Sequence, residues 1–147
     1  CLHQNNFQCT INIMEQEAKN KNKNKIFIID DDNFLLEMYV TKFKEGGFEV
    51  VASLDTKEAL NRLREGLVPD IILFDIVMPD MDGFEFLKVV NEENLVKDCI
   101  KIALTNQWQE SNIKKAKELG VSDYIVKANF IPSEVLNNVQ KIIDKKK

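Results

Sequence analysis

The sequence predicts an α/β fold: one parallel sheet of five strands with helices on both faces. Two observations predict it. From Lys25 onward, short apolar runs alternate strictly with stretches whose apolar residues recur at helical spacing, as repeated βα units require. The runs are also apolar at consecutive positions, which is the pattern of strands buried on both faces.

The elements follow in order. The first strand is Ile26 to Ile29. Leu35, Met38, Tyr39 and Phe43 then mark a first helix, which Gly46-Gly47 stops. Phe48 to Ala52 is a short second strand. A second helix carries Ala59, Leu60 and Leu63 and ends before Gly66 and Pro69. Ile71 to Phe74 is the third strand, and Phe84 to Val90 lie in the third helix. Ile100 to Leu104 form the fourth strand, followed by a helix lined by Ile113, Ala116 and Leu119 and ended by Gly120. Tyr124 to Val126 is the fifth strand. Pro132 suits the first turn of a last helix, whose buried stripe is Val135, Val139, Ile142 and Ile143.

Residues 1–24 are different. They are rich in Asn, Gln and Lys and show no sustained period, so they are expected to form a disordered leader ahead of a single domain at 25–147. The chain does not begin with Met, and the native start is expected at Met14, with residues 1–13 foreign to the native protein. With 147 residues, 44% hydrophobic and 30% charged, there is room for one ordinary globular domain. A net charge of −4 gives no electrostatic reason to expect nucleic acid. No stretch approaches the roughly 20 apolar residues that cross a bilayer, and no secretory signal leads the chain, so the cytoplasm is expected. Cys1, Cys9 and Cys99 lack metal-ligand spacing, and Cys99 is expected to be a buried thiol. The single histidine, His3, lies in the leader, which excludes a Ser-His-Asp hydrolase, a His-rich zinc site and a phosphohistidine carrier.

Asp30, Asp31, Asp75, Thr105 and Lys127 each fall at or just past the end of a strand. Right-handed crossovers bring all those ends to one edge of a parallel sheet, where ligands bind in such folds. Carboxylates gathered there repel one another unless a cation sits among them, and Mg²⁺ (or Mn²⁺) suits hard oxygen ligands. Such a site meets the needs of phosphoryl transfer to a carboxylate. Asp30 and Asp31 would hold the metal, Asp75 would be the nucleophile, and Lys127 and the Thr105 hydroxyl would each take a phosphoryl oxygen. Asp32 and Asp82 suit helix caps, and Asp80 a solvated turn.

These stretches carry a resemblance. Ile28-Ile29-Asp30-Asp31-Asp32, Leu73-Phe74-Asp75-Ile76-Val77-Met78-Pro79, Met81-Asp82-Gly83, Ala103-Leu104-Thr105 and Asp123-Tyr124-Ile125-Val126-Lys127 occur in the order found in the receiver domains of two-component response regulators. From Lys25 to about Ile143 the chain resembles that family. The resemblance implies a flavodoxin-like (βα)5 sheet of strand order 2-1-3-4-5. It implies that Asp75 is the phosphoacceptor, that Asp31 is a direct metal ligand and Asp30 its neighbour acting through metal-bound water, and that the main-chain carbonyl of Val77 is the third protein ligand. Thr105 and Lys127 match the switch hydroxyl and the lysine. Tyr124 matches a switch aromatic, although a static core aromatic would suit the same position. The phosphoryl donor would be a sensor histidine kinase or a phosphotransfer protein. The domain would be a signalling module rather than an enzyme.

The chain departs from the family at three places. Ala128 stands where proline usually follows the lysine; a cis bond to a non-proline residue costs about 2.5–4 kcal/mol, so a trans Lys127–Ala128 bond is expected. Asn106 replaces a small residue after the threonine and is expected to narrow the mouth of the site. Val77 cannot orient an attacking water whereas Gln107 can, and slow self-dephosphorylation is expected. Two other readings stay open: a degenerate receiver that binds proteins constitutively, and an aspartate-nucleophile phosphatase of the haloacid dehalogenase type. Against the second, Phe34 stands where that family has Thr or Val. Flavodoxin itself is excluded, because its phosphate loop presents hydroxyls and amides rather than carboxylates. The sequence stops after the last helix, so a stand-alone receiver is expected, a monomer or weak phosphorylation-dependent dimer. Its output would run through the face of the fourth helix, fifth strand and fifth helix, carrying Trp108, Ile113, Lys117 and Tyr124.

Overall fold

The computed structural model describes residues 24–146. Residues 1–23 of the expected leader, with His3, Cys1, Cys9 and the start at Met14, lie outside the described residues, while the carbonyl of its last residue, Asn24, accepts from the Glu49 N–H at 3.0 Å. Within the described residues the chain alternates β1 (Lys25–Ile29), α1 (Asn33–Glu45), β2 (Glu49–Ser53), α2 (Thr56–Arg64), β3 (Ile71–Phe74), α3 (Gly83–Glu92), β4 (Ile100–Thr105), α4 (Glu110–Glu118), β5 (Asp123–Val126) and α5 (Pro132–Lys146). A 3-10 turn, Lys127–Asn129, joins β5 to α5. All pairings are parallel and the strand order is β2-β1-β3-β4-β5, as expected. The order reverses between β1 and β3, which leaves a crevice beyond their carboxyl ends.

Alternation along each strand divides the core. Phe27, Ile29, Ile72 and Phe74 face α2, α3 and α4. Ile26, Ile28, Ile71 and Leu73 face α1 and α5. All eight side chains are buried, which explains why the strands are apolar without a period of two.

Several boundaries and faces differ from expectation. β2 begins at Glu49, because Phe48 turns inward to meet Phe43 edge-on with ring centroids 5.2 Å apart. The buried stripe of α1 is Leu36, Tyr39 and Phe43, so Met38 faces outward beside the start of α5. In α4 only Ala116 is fully buried, because that helix rests on the edge of the sheet. Cys99 is half-buried rather than buried, yet burial still pushes its thiol up to about 12, which leaves little thiolate at neutral pH.

Side chains cap three of the helices. Asp32 accepts from the Leu35 N–H, Asp55 from Lys57 N–H and Asp82 from Glu85 N–H. Asp32 and Asp82 thus have the structural work expected of them, and Asp80 lies exposed in a turn at φ 65°. Gly83 has a stricter role. A Cβ there would meet the Asp75 carbonyl oxygen at 2.6 Å and the Ile76 Cα at 2.7 Å, both backbone atoms that cannot swing away. Gly83→Ala is therefore expected to cost about 1–3 kcal/mol in urea unfolding and to shift the Asp75 loop.

Candidate functional site

Asp30 and Asp75 each follow the last residue of a central strand, and the ladder continues through both. The Asp30 N–H donates to the Ser53 carbonyl at 3.1 Å, and the Asp75 N–H to the Ile29 carbonyl at 3.0 Å. The two carboxylates are consequently fixed side by side and buried, with relative exposures of 2% and 7%. Lys127 starts the turn after β5 and extends past β4 to reach them. Its Nζ lies 2.7 Å from Asp75 Oδ2 and 2.5 Å from Asp30 Oδ2. Asp31 stands at the exposed rim, and one oxygen from each of Asp30, Asp31 and Asp75 lies within 4.8 Å of the others.

The charges decide what fits. Three carboxylates and one ammonium leave a net charge of −2 in a small volume. Burial raises the Asp30 carboxyl above its ordinary value, and the Lys127 hydrogen bond and the Asp32 N–H donated to Asp30 Oδ1 offset this only in part. Burial also pulls the Lys127 ammonium down, but its hydrogen bonds to Asp30 and Asp75 outweigh that, so it stays firmly charged. Among the described residues, Asp30 Oδ2 meets no polar group besides the Lys127 ammonium. A divalent cation would balance the residual charge and take up that oxygen, and the all-oxygen donor set suits Mg²⁺.

The remaining expected residues lie in or just after β3, β4 and β5, the strands that lead to this edge of the sheet. Val77 donates its N–H to Asp75 Oδ1 at 3.1 Å, while its side chain points to solvent. Thr105 ends β4 fully buried, with the Gln107 N–H at 3.4 Å from its hydroxyl. Tyr124 is half-buried against the α2, α3 and α4 side of the core, and its hydroxyl donates to the Gln107 carbonyl. The Lys127–Ala128 bond is trans, as no peptide bond among the described residues is cis.

The sequence matches the response regulator receiver domain over residues 26–140. The chain belongs to this family. Among curated relatives, the phosphate regulon transcriptional regulatory protein PhoB of Escherichia coli is 29% identical over 119 residues, covering 81% of this chain and 51% of its own. The response regulator SaeR of Staphylococcus aureus is 30% identical over 122 residues, with coverage of 83% and 51%. The receiver thus spans about half the length of these relatives. Among solved structures, the chemotaxis response regulator CheY4 of Vibrio cholerae superposes with a TM-score of 0.74 at 28% identity, covering 82% of this chain and 98% of that one. A Francisella response regulator receiver domain gives 0.73 at 29%, with coverage of 85% and 100%.

Three features of this receiver escaped the sequence reading. Asn106 Oδ1 accepts from the Ala128 N–H at 2.9 Å. The hydroxyl of Thr56, fully buried at the start of α2, donates to the Met81 carbonyl at 2.6 Å and ties that helix to the loop after Asp75. Phe34, Met38 and Ile131 form an open apolar groove between α1 and the start of α5. Only the last left a signal, as Phe34 and Ile131 are apolar residues outside the helical stripes. The two hydrogen bonds join segments more than twenty residues apart and have no local pattern.

Proposed function

We propose that this receiver accepts a phosphoryl group on Asp75 from the phosphohistidine of a sensor histidine kinase or a phosphotransfer protein. A carboxylate oxygen of Asp75 attacks phosphorus, the bond from phosphorus to the donor nitrogen breaks, and the electron pair leaves with the imidazole. The observation that carries this reading is the contact of one lysine with two buried carboxylates from neighbouring strands, beside a third carboxylate at the rim. Asp30, Asp31, Asp75 and the Val77 carbonyl would hold Mg²⁺. When bound, that ion supplies positive charge to the phosphoryl oxygens as the transfer proceeds. Lys127 gives a fixed point charge to one phosphoryl oxygen, and the Thr105 hydroxyl donates to another. A carboxylate nucleophile, unlike a hydroxyl, has no proton to remove, so no general base is required.

Movement of Thr105 toward the phosphoryl group would pull on the β4–α4 loop, and Tyr124 is tied to that loop through Gln107. The signal would then reach the α4, β5 and α5 face, where Trp108 is 69% exposed. No helix among the described residues is long and apolar enough to cross a membrane.

Incubating the chain with Mg²⁺ and acetyl phosphate tests the reading. The expected result is a mass gain of one phosphoryl group that decays over minutes or longer, because the Val77 side chain cannot hydrogen-bond an attacking water. Continuous release of inorganic phosphate at many turnovers would instead indicate a phosphatase, and no mass change a constitutive binding module.

A further inference from the structure

Thr105 and Val126 are the last register partners of β4 and β5. Beyond them the main-chain ladder stops, since Asn106 opens a loop and Lys127 opens a 3-10 turn. The Asn106 side chain nevertheless carries the connection one step further, through its bond to the Ala128 N–H. The two residues it joins directly follow Thr105 and Lys127. This N–H exists only because residue 128 is not proline, which has none to donate. The alanine and the asparagine are therefore two halves of one contact.

We infer that Asn106 is a positioning residue for phosphoryl transfer, fixing the backbone from which Lys127 reaches the site. This rests on the reading of Asp75 as phosphoacceptor. Lys127 is anchored on one side by Val126 in the sheet and on the other by Ala128 held to Asn106. The Phe130 N–H closes the turn onto the Lys127 carbonyl at 3.2 Å. The lysine stem is long and intrinsically flexible, so a shift of its Cα displaces the ammonium from Asp75 and Asp30 unless the stem rearranges. Fixing the turn reduces that freedom, and small displacements of a charge at a reacting group are costly in rate. On the opposite side of the loop the Tyr124 hydroxyl holds the Gln107 carbonyl. The loop is thus gripped at two successive residues.

The test compares Asn106→Ala, Ala128→Pro, the double variant and Ala128→Gly for the rate of phosphorylation by acetyl phosphate with Mg²⁺, read by intact mass, with thermal melts to confirm folding. Asn106→Ala is expected to slow phosphorylation about threefold to tenfold, the size of one exposed hydrogen bond. Ala128→Gly keeps the N–H and should react at the wild-type rate. Ala128→Pro should slow the wild type more than it slows Asn106→Ala, because both changes remove the same contact. An unchanged or faster rate in Asn106→Ala, or independent effects in the double variant, overturns the inference. Amide exchange at Ala128, followed by NMR, should be protected in the wild type and accelerated in Asn106→Ala; equal exchange in the two also overturns it. Absence of any phosphoryl gain in the wild type would defeat the reading of Asp75 and with it the role in transfer, while exchange at Ala128 would still decide whether the contact exists.

Discussion

Asp75→Asn is expected to abolish the mass gain with acetyl phosphate while leaving the fold intact. The amide cannot form the acyl phosphate, so the loss should be complete within detection. The fold should survive because the exchange removes one of three crowded carboxylates, and Lys127 keeps its ion pair with Asp30. Stability in metal-free buffer should change by no more than about 1 kcal/mol, since relief of like-charge repulsion offsets the lost ion pair. Mg²⁺ affinity should fall with the loss of a ligand oxygen. Intact mass, urea unfolding and Mg²⁺ titration measure the three effects. A phosphoryl group retained at full stoichiometry in Asp75→Asn would transfer the acceptor role to another residue, and the site would need to be reassigned.

Lys127→Ala should act on both chemistry and stability. Without the ammonium, a phosphoryl oxygen loses its fixed counter-charge, and phosphorylation should slow by about a hundredfold or more. The same change leaves Asp30, Asp31 and Asp75 with no cation in contact among the described residues. Removing one partner of a buried ion pair costs about 3 kcal/mol, equivalent to a fall of roughly 10 °C in melting temperature for a domain of this size. Two remedies should work. Mg²⁺ should restore more stability to the variant than it adds to the wild type, because it replaces the missing charge. Acid should also help. Burial already raises the Asp30 carboxyl in the presence of Lys127, and the ammonium's lowering influence disappears in the variant. A carboxyl raised on folding contributes stability that is full below its unfolded value of about 3.9 and is lost as pH rises through its folded value. Metal-free Lys127→Ala should therefore be more stable at pH 5 than at pH 7, as urea melts at the two values would show. A variant as stable as the wild type at pH 7 without metal would mean the carboxylates do not depend on this lysine.

Much of this was legible in the chain itself. Consecutive apolar residues at Ile26–Ile29 and Ile71–Phe74 marked strands buried on both faces. The helical spacing between them marked crossovers, and parallel crossovers leave little choice about which ends meet. Asp30, Asp75, Thr105 and Lys127 could therefore be assigned to one edge before any geometry was known. Helix-stop glycines and capping aspartates act through residues one to four positions away, so their roles too were local and readable. Periodicity placed Met38 on the covered face of the first helix, whereas Leu36 is buried there and Met38 is exposed, because the position of α5 determines which side of α1 is covered.

Sequence by itself determined the alternation of elements, the sheet class and the set of residues gathered at its carboxyl edge, because each follows from spacing along one stretch of chain and the handedness common to all such chains. Tertiary structure alone decided that the Lys127 ammonium rests between Asp30 and Asp75, that Gly83 leaves no room for a Cβ against the Asp75 backbone, and that Asn106 grips the amide after Lys127. Those contacts depend on ångström-scale distances between segments remote in sequence, and such distances are set only when both halves of the core pack together.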